Sequence, residues 1–168
     1  LDGLGGADTL RGLESTDILN GGSGNDAADY RTSTSAVTVD LSTGTGTGGD
    51  ADGDVLISIE KVFGSRENDS LTGSSSKDTL DGFSGDDTLF GGDGADTLRG
   101  RNGADSLDGG NGNDTADYRQ SSQAVTVDLE AGTGTGGDAD GDTFTSIEKV
   151  FGSANNDSIT GDSADNTL

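Results

Sequence analysis

The chain contains no cysteine, no histidine and no methionine. Without cysteine there are no disulfides to staple it, no thiolate nucleophile and no redox clue to its compartment. Without histidine the commonest general base is missing. Losing all three residue types removes the nitrogen and sulfur donors that zinc and copper sites use. Positive charge is nearly as scarce: nine Lys and Arg stand singly along 168 residues. They offer no phosphate cradle, and nucleic acid is excluded as a partner because its backbone would be repelled. An anionic membrane is disfavoured for the same reason except through a bridging cation, and no signal peptide, transmembrane stretch or lipid motif is visible, so no membrane insertion is expected.

What is abundant is aspartate and glycine. There are 27 Asp against 5 Glu, 31 Gly and a net charge of -23. Low hydrophobicity with such charge is the usual signature of disorder, and disorder is the expectation for the chain by itself. Yet the aspartates are periodic. The pattern G-G-x-G-x-D-x-U-x, with U a large apolar residue, runs in phase through GFSGDDTLF (82–90), GGDGADTLR (91–99), GRNGADSLD (100–108) and GGNGNDTAD (109–117). A further good copy, GGSGNDAAD, occupies 21–29, and looser ones lie at 3–11, 12–20, 64–72, 73–81, 152–160 and 161–168. Burying one leucine stabilises by about 1.5–3 kcal/mol, whereas ordering backbone costs about 1–2 kcal/mol per residue, most at glycine. One leucine in nine residues cannot fold such a block, so a ligand bound on folding has to contribute. The donors on offer are carboxylates, carbonyls freed by Gly-rich turns, and hydroxyls. Hard oxygen sets of flexible geometry suit Ca2+, in multiple copies, better than magnesium, which tends to keep its waters.

These nonapeptides resemble the RTX (repeats-in-toxin, hemolysin-type) family of secreted bacterial proteins. The resemblance implies an all-β fold, a right-handed parallel β-roll or β-helix solenoid, with two nonapeptides per coil and residues 18 apart stacked on one face. Leu71, Leu89 and Leu107 then form one stack, and Leu80, Leu98 and Ala116 the other. Asp69, Asp87 and Asp105 fall in one column and Asp78, Asp96 and Asp114 in the second, with calcium between successive turns. Asp87/Asp105 and Asp96/Asp114 lie in turns that keep the fourth-position glycine. Asp8, Asp17, Asp26 and Asp157 are the corresponding metal candidates elsewhere. Ser15, Glu67, Ser76, Asn155 and Ala164 replace that glycine and Asn166 replaces the Asp, so those turns are expected to bind weakly or serve as caps. The resemblance also implies an extracellular or cell-surface location reached by type I secretion, with the chain unfolded at cytosolic calcium and folded at millimolar levels outside.

A longer duplication overlies the nonapeptides. Residues 1–80 and 89–168 align with 54 identities at an offset of 88, giving a unit of six nonapeptides and a 34-residue insert. The expected layout is roll blocks at 1–29, 64–117 and 152–168 separated by β-rich inserts at 30–63 and 118–151, in one elongated array. The chain opens on the last two positions of a nonapeptide and stops one short of completing another, as expected of a piece of a longer protein. Within the inserts, Ala36–Leu41 and Ala124–Leu129 alternate like half-buried strands. Positions 56, 59, 62 and 63, with their repeats 144, 147, 150 and 151, are expected to face inward. Tyr30 and Tyr118 are expected to plug the roll behind the small Ala28 and Ala116. The run Gly44 to Gly49 reads as a flexible hairpin tip or a sugar-contacting surface. GGDADGD carries Asp50, Asp52 and Asp54, repeated as Asp138, Asp140 and Asp142. Its glycine stands two places early for an EF-hand and no twelfth-position Glu follows, leaving a different calcium loop or a solvated acidic turn.

Catalysis has no usual nucleophile or base here, and the paired carboxylates are accounted for by metal rather than by glycoside hydrolysis. The reading is a monomeric, non-enzymatic, calcium-folded module that is structural and assists secretion of a larger protein. Its rival is a calcium-dependent adhesin or polysaccharide-binding module.

Overall fold

A computed structural model describes all residues, 1–168. It contains no α-helix, only two single 3₁₀ turns at Gly49–Ala51 and Gly137–Ala139. The strands form two long sheets, of seven and eleven strands. The seven-stranded sheet runs Thr9–Leu10, Ala27–Asp29, Lys61–Phe63, Thr79–Ser84, Thr97–Asn102, Thr115–Asp117 and Lys149–Phe151, parallel throughout. Successive nonapeptides alternate between the sheets, so each coil of the roll spends two repeats.

The stacking that the resemblance implies is present. Leu71 pairs with Leu89 and Leu89 with Leu107 in one sheet, while Leu80, Leu98 and Ala116 follow one another in the other. These side chains are fully buried and join one continuous core along the roll. In the central block the strands are the longest in the roll: Thr88–Gly94 and Ser106–Gly112 each span seven residues. The cause is that intact turns stack on each other, with Gly92 opposite Gly110 and Gly94 opposite Gly112, so the ladder runs on into the turn.

The inserts neither protrude nor merely continue the coil. In the first, Val55–Ile57 and Lys61–Phe63 make an ordinary coil, pairing in parallel with Ile18–Asn20 and Ala27–Asp29. Thr38–Asp40 and Thr45–Thr47 are additional strands of the eleven-stranded sheet, and Thr45–Thr47 lies antiparallel between its neighbours. The second insert repeats this with Thr126–Asp128, Thr133–Thr135 and Thr143–Thr145. Gly44 to Gly49 is therefore no hairpin tip: Thr45 and Thr47 face out, and Gly46 is buried. A Cβ at Gly46 would lie 2.8 Å from the Ala51 carbonyl and 3.1 Å from its Cβ, which is why glycine alternates with threonine there.

Ala36–Leu41 forms its strand at Thr38–Asp40, with Val37 and Val39 buried. Leu56, Ile59 and Val62 face inward as expected, and so do Phe144, Ile147 and Val150. Phe63 and Phe151 do not. As the residues after Val62 and Val150 they point outward, into a row across the seven-stranded sheet that reads Arg11, Asp29, Phe63, Asp81, Arg99, Asp117, Phe151. The Arg31 guanidinium lies 4.9 Å from the Phe63 ring centre, and that of Arg119 lies 4.6 Å from Phe151. The basic residues, single in sequence, are thus gathered by the fold. Seven of the nine lie on or beside this sheet, and no strand of the larger sheet carries one. Arg11 and Arg31 pair with Asp29, and Arg99 and Arg119 with Asp117.

Candidate metal centre

Every nonapeptide turn delivers its aspartate to the same place, at the mouth of the following strand and over the aspartate of the next coil. In most turns one carboxylate oxygen then serves the backbone of the coil before. Asp78 N donates to Asp96 Oδ1 at 2.7 Å, and Asp96 N to Asp114 Oδ1 at 2.7 Å. In the other column Asp69 N donates to Asp87 Oδ1 and Asp87 N to Asp105 Oδ1, both at 2.8 Å. Asp8 N likewise donates to Asp26 Oδ1. The two columns that the resemblance implies are both present.

The second oxygen is left alone. Oδ2 of Asp8, Asp26, Asp87, Asp96, Asp105 and Asp114 and Oδ1 of Asp78 are buried without a hydrogen-bond partner. A buried, unpaired carboxylate costs several kcal/mol, on the order of a charge transferred out of water. Burial and the neighbouring aspartates accordingly push Asp87 up to about 8 and Asp96 to about 6. Asp105 also rises to about 6, through burial and the charges of Asp86 and Asp138. The six Oδ2 atoms sit in equivalent positions, each beside the first glycine of its turn, and are what a row of hard cations would neutralise; Asp78 differs, with Oδ2 bonded to Ser74 and Oδ1 free. A Cβ at Gly91 would sit 2.7 Å from Asp96 Oδ2 and 2.5 Å from the Gly109 carbonyl, so glycine keeps that space free for an ion among oxygens. Nowhere do three acidic side chains converge; any ion here takes one or two carboxylates and completes its shell from backbone, which suits calcium.

Where serine follows the first glycine of a turn, it takes up part of the carboxylate: Ser74 N and Oγ donate to Asp78 Oδ2 and leave only Oδ1 free. Ser65 N and Oγ donate to Asp69, whose other bond comes from Val37 N. Ser153 Oγ and Val125 N bond Asp157. Asn166 Oδ1 accepts from Asp162 N and closes its turn without a charge. These are among the turns expected to be weak, and at 64–72 and 152–160 the serine hydroxyls supply the physical reason.

The acidic loops of the inserts are divided by the fold. Asp54 and Asp142 are buried members of the column, accepting from Asp17 N at 2.8 Å and Asp105 N at 2.9 Å. Their remaining oxygens accept from the hydroxyls of Tyr30 and Tyr118. The tyrosines do plug the roll, and in addition place a phenol where other turns leave an oxygen free. Burial still raises Asp142, to about 7. Asp50 and Asp138 are half-buried and Asp52 and Asp140 exposed, on the 3₁₀ turns. Asp50, Asp52 and Asp54 therefore do not form one three-carboxylate set, nor do Asp138, Asp140 and Asp142.

Two column members carry no sequence signal. Glu60 Oε2 accepts from Asp26 N at 2.9 Å and Glu148 Oε2 from Asp114 N at 2.8 Å. They take the aspartate's place although they stand 34 residues away rather than 18 and lack a glycine turn.

A parallel solenoid whose stacked glycine turns present paired aspartates to a file of cations is a calcium-binding β-roll. The RTX calcium-binding nonapeptide repeat matches this chain in four copies, at residues 1–28, 59–82, 81–116 and 133–168, which together span most of its length. The chain belongs to the RTX calcium-binding repeat family, whose nonapeptides are structural calcium-binding motifs, and it carries multiple Ca2+ sites. No curated protein matches the chain.

Proposed function

We propose that this module folds when it meets calcium outside the cell and is a structural, secretion-assisting part of a larger secreted protein. The observation that carries the reading is the row of buried carboxylate oxygens without partners. A roll closed around unneutralised aspartates is opposed by its own charge, and the metal-free chain is the disordered state its composition favours. Asp87/Asp105 and Asp96/Asp114 are the sites we assign first, followed by Asp8/Asp26 and Asp78/Asp96 and, last, by Asp69/Asp87, where only Asp87 keeps a free oxygen. RTX repeat proteins are typically secreted, and a chain that stays open at cytosolic calcium suits passage through a type I channel. The roll blocks 1–29, 64–117 and 152–168 and the inserts 30–63 and 118–151 act as one array, without independent domains. The module is a monomer and has no catalytic role.

Far-UV circular dichroism during a calcium titration, with magnesium as control, tests this. A cooperative coil-to-β transition specific to calcium is expected. A β spectrum already present in chelator at neutral pH would mean that the inserts hold the fold unaided and would sink the folding switch.

One observation favours recognition as a second role. The eleven-stranded sheet presents an unbroken row of hydroxyls, Thr47, Thr38, Ser70, Thr88, Ser106, Thr143 and Thr133, on seven neighbouring strands. A face without basic residues on a strongly anionic protein suits a neutral polysaccharide. Retention on immobilised neutral glycans in calcium but not in chelator, abolished by Thr88→Lys, is the expected result; retention unchanged by Thr88→Lys would remove this face from consideration.

A further inference from the structure

One arrangement recurs along the column beside the seven-stranded sheet. At the first glycine of each turn, the space a Cβ would fill is bordered by that turn's own aspartate Oδ2 and by a carbonyl from the next coil. At Gly3 these are Asp8 Oδ2 at 2.8 Å and the Gly21 carbonyl at 2.7 Å. At Gly91 they are Asp96 Oδ2 at 2.7 Å and the Gly109 carbonyl at 2.5 Å. Twice the next coil belongs to an insert and contains no nonapeptide. At Gly21 and Gly109 the aspartate oxygens are Asp26 Oδ2 and Asp114 Oδ2, each at 2.7 Å, and the carbonyls are those of Ser58 and Ser146.

Ser58 and Ser146 reach this position with φ of 51°, in the left-handed region that a non-glycine residue seldom enters. Two residues on, Glu60 and Glu148 accept the backbone N–H of Asp26 and Asp114, as the aspartates of ordinary turns do. Asp26 and Asp114 are 0% exposed, and their Oδ2 atoms have no partner. Each junction thus offers a carbonyl, a buried free carboxylate oxygen and a second carboxylate, in the order found at the intact turns.

We infer that Ser58 and Glu60 with Asp26, and Ser146 and Glu148 with Asp114, form two further calcium sites, one per insert. Calcium selects itself over magnesium because the set is all oxygen and partly backbone, with no rigid octahedron. In the opposite column the tyrosine hydroxyl fills the equivalent gap, so each insert keeps the ion file running on one side and interrupts it on the other.

This rests on the calcium-folding reading above, and the test separates the two. Bound calcium per chain is counted at saturation by equilibrium dialysis for the wild-type chain, Glu60→Gln/Glu148→Gln and, as a control, Asp96→Asn. Glutamine retains an oxygen for the Asp26 or Asp114 N–H and removes only the charge. The double variant should bind two fewer ions while keeping its β spectrum in calcium, and each single variant one fewer, which keeps the question answerable should the double variant fail to fold. Wild-type stoichiometry in all the glutamine variants, alongside a loss in Asp96→Asn, would overturn the inference and leave the folding reading standing. A wild-type chain that binds no calcium would overturn both.

Discussion

An aspartate of an intact turn uses its two oxygens differently: one accepts from the backbone of the coil before it, the other is buried and free. Asp96 does so at the centre of the best-formed block, with bonds to and from its column neighbours. Asp40 lies on the outside of a strand and caps only the short turn at Ser42 and Thr43. Asp96→Ala should raise the calcium midpoint of folding severalfold, because it damages the Asp78/Asp96 and Asp96/Asp114 sites together. Asp40→Ala should cost no more than an ordinary turn cap, about 1 kcal/mol. Equal midpoints for the two variants would contradict the column assignment. The aspartates were legible because a period of nine survives translation along the chain. Glu60 and Glu148 were not, since their spacing exceeds 18 by the 16 residues that accommodate two added strands and their turns.

The inserts show how a composition can mislead about an element. Alternating Gly and Thr look like loop, because glycine is depleted in strands, but a central strand under Ala51 has room for nothing larger at Gly46. Gly46→Val should therefore destabilise the first insert, seen as a lower melting temperature in saturating calcium with the same number of ions in the 64–117 block. The link from Tyr118 to Asp142 spans 24 residues and depends on that same strand order. It is absent from any local pattern. Tyr118→Phe keeps the ring against Phe144, which it meets edge-on at 6.3 Å, but leaves Asp142 with one buried oxygen bare. A loss of about 1–3 kcal/mol is expected, read from thermal unfolding in calcium; an unchanged melting temperature would show that the plug acts through its ring alone. Phe63 and Phe151 were misplaced for a simpler reason: adjacent strand residues face opposite ways, and Val62 and Val150 already hold the inward positions.

For the molecule as a whole, the charges set an unusual response to pH. Asp87, Asp96, Asp105 and Asp142 have folded-state values raised to between about 6 and about 8 by burial, with like charges adding to it. A raised carboxylate favours the fold while protonated, so its contribution is complete below about pH 4, the unfolded value, and is lost as pH climbs through those folded values. Asp29 and Asp117 work in the opposite sense. Burial would raise them, but Arg31 and Arg11 hold Asp29 far below the usual range, and Arg119 and Arg99 hold Asp117 at about 2; their contribution fades only as pH falls below about 4. In chelator, β content should therefore peak near pH 4 and decline on both sides. With calcium the high-pH limb should vanish and acid should instead weaken folding, because protons and metal compete for the same oxygens. Circular dichroism against pH, with and without calcium, decides it; a chelated chain that gains structure as pH rises would contradict the buried columns.

Between Ala27–Asp29 and Thr79–Ser84 the smaller sheet places one strand, while between Ile18–Asn20 and Ser70–Thr72 the larger sheet places three. Strands stand about 4.8 Å apart, so each insert lengthens one side of the roll by about 10 Å relative to the other. Both inserts open the same sheet. The axis must bend at each, with the arginine-bearing face on the inside and the hydroxyl face fanned outward, and the 88-residue unit becomes a segment of an arc whose curvature is set by how many plain coils separate one wedge from the next.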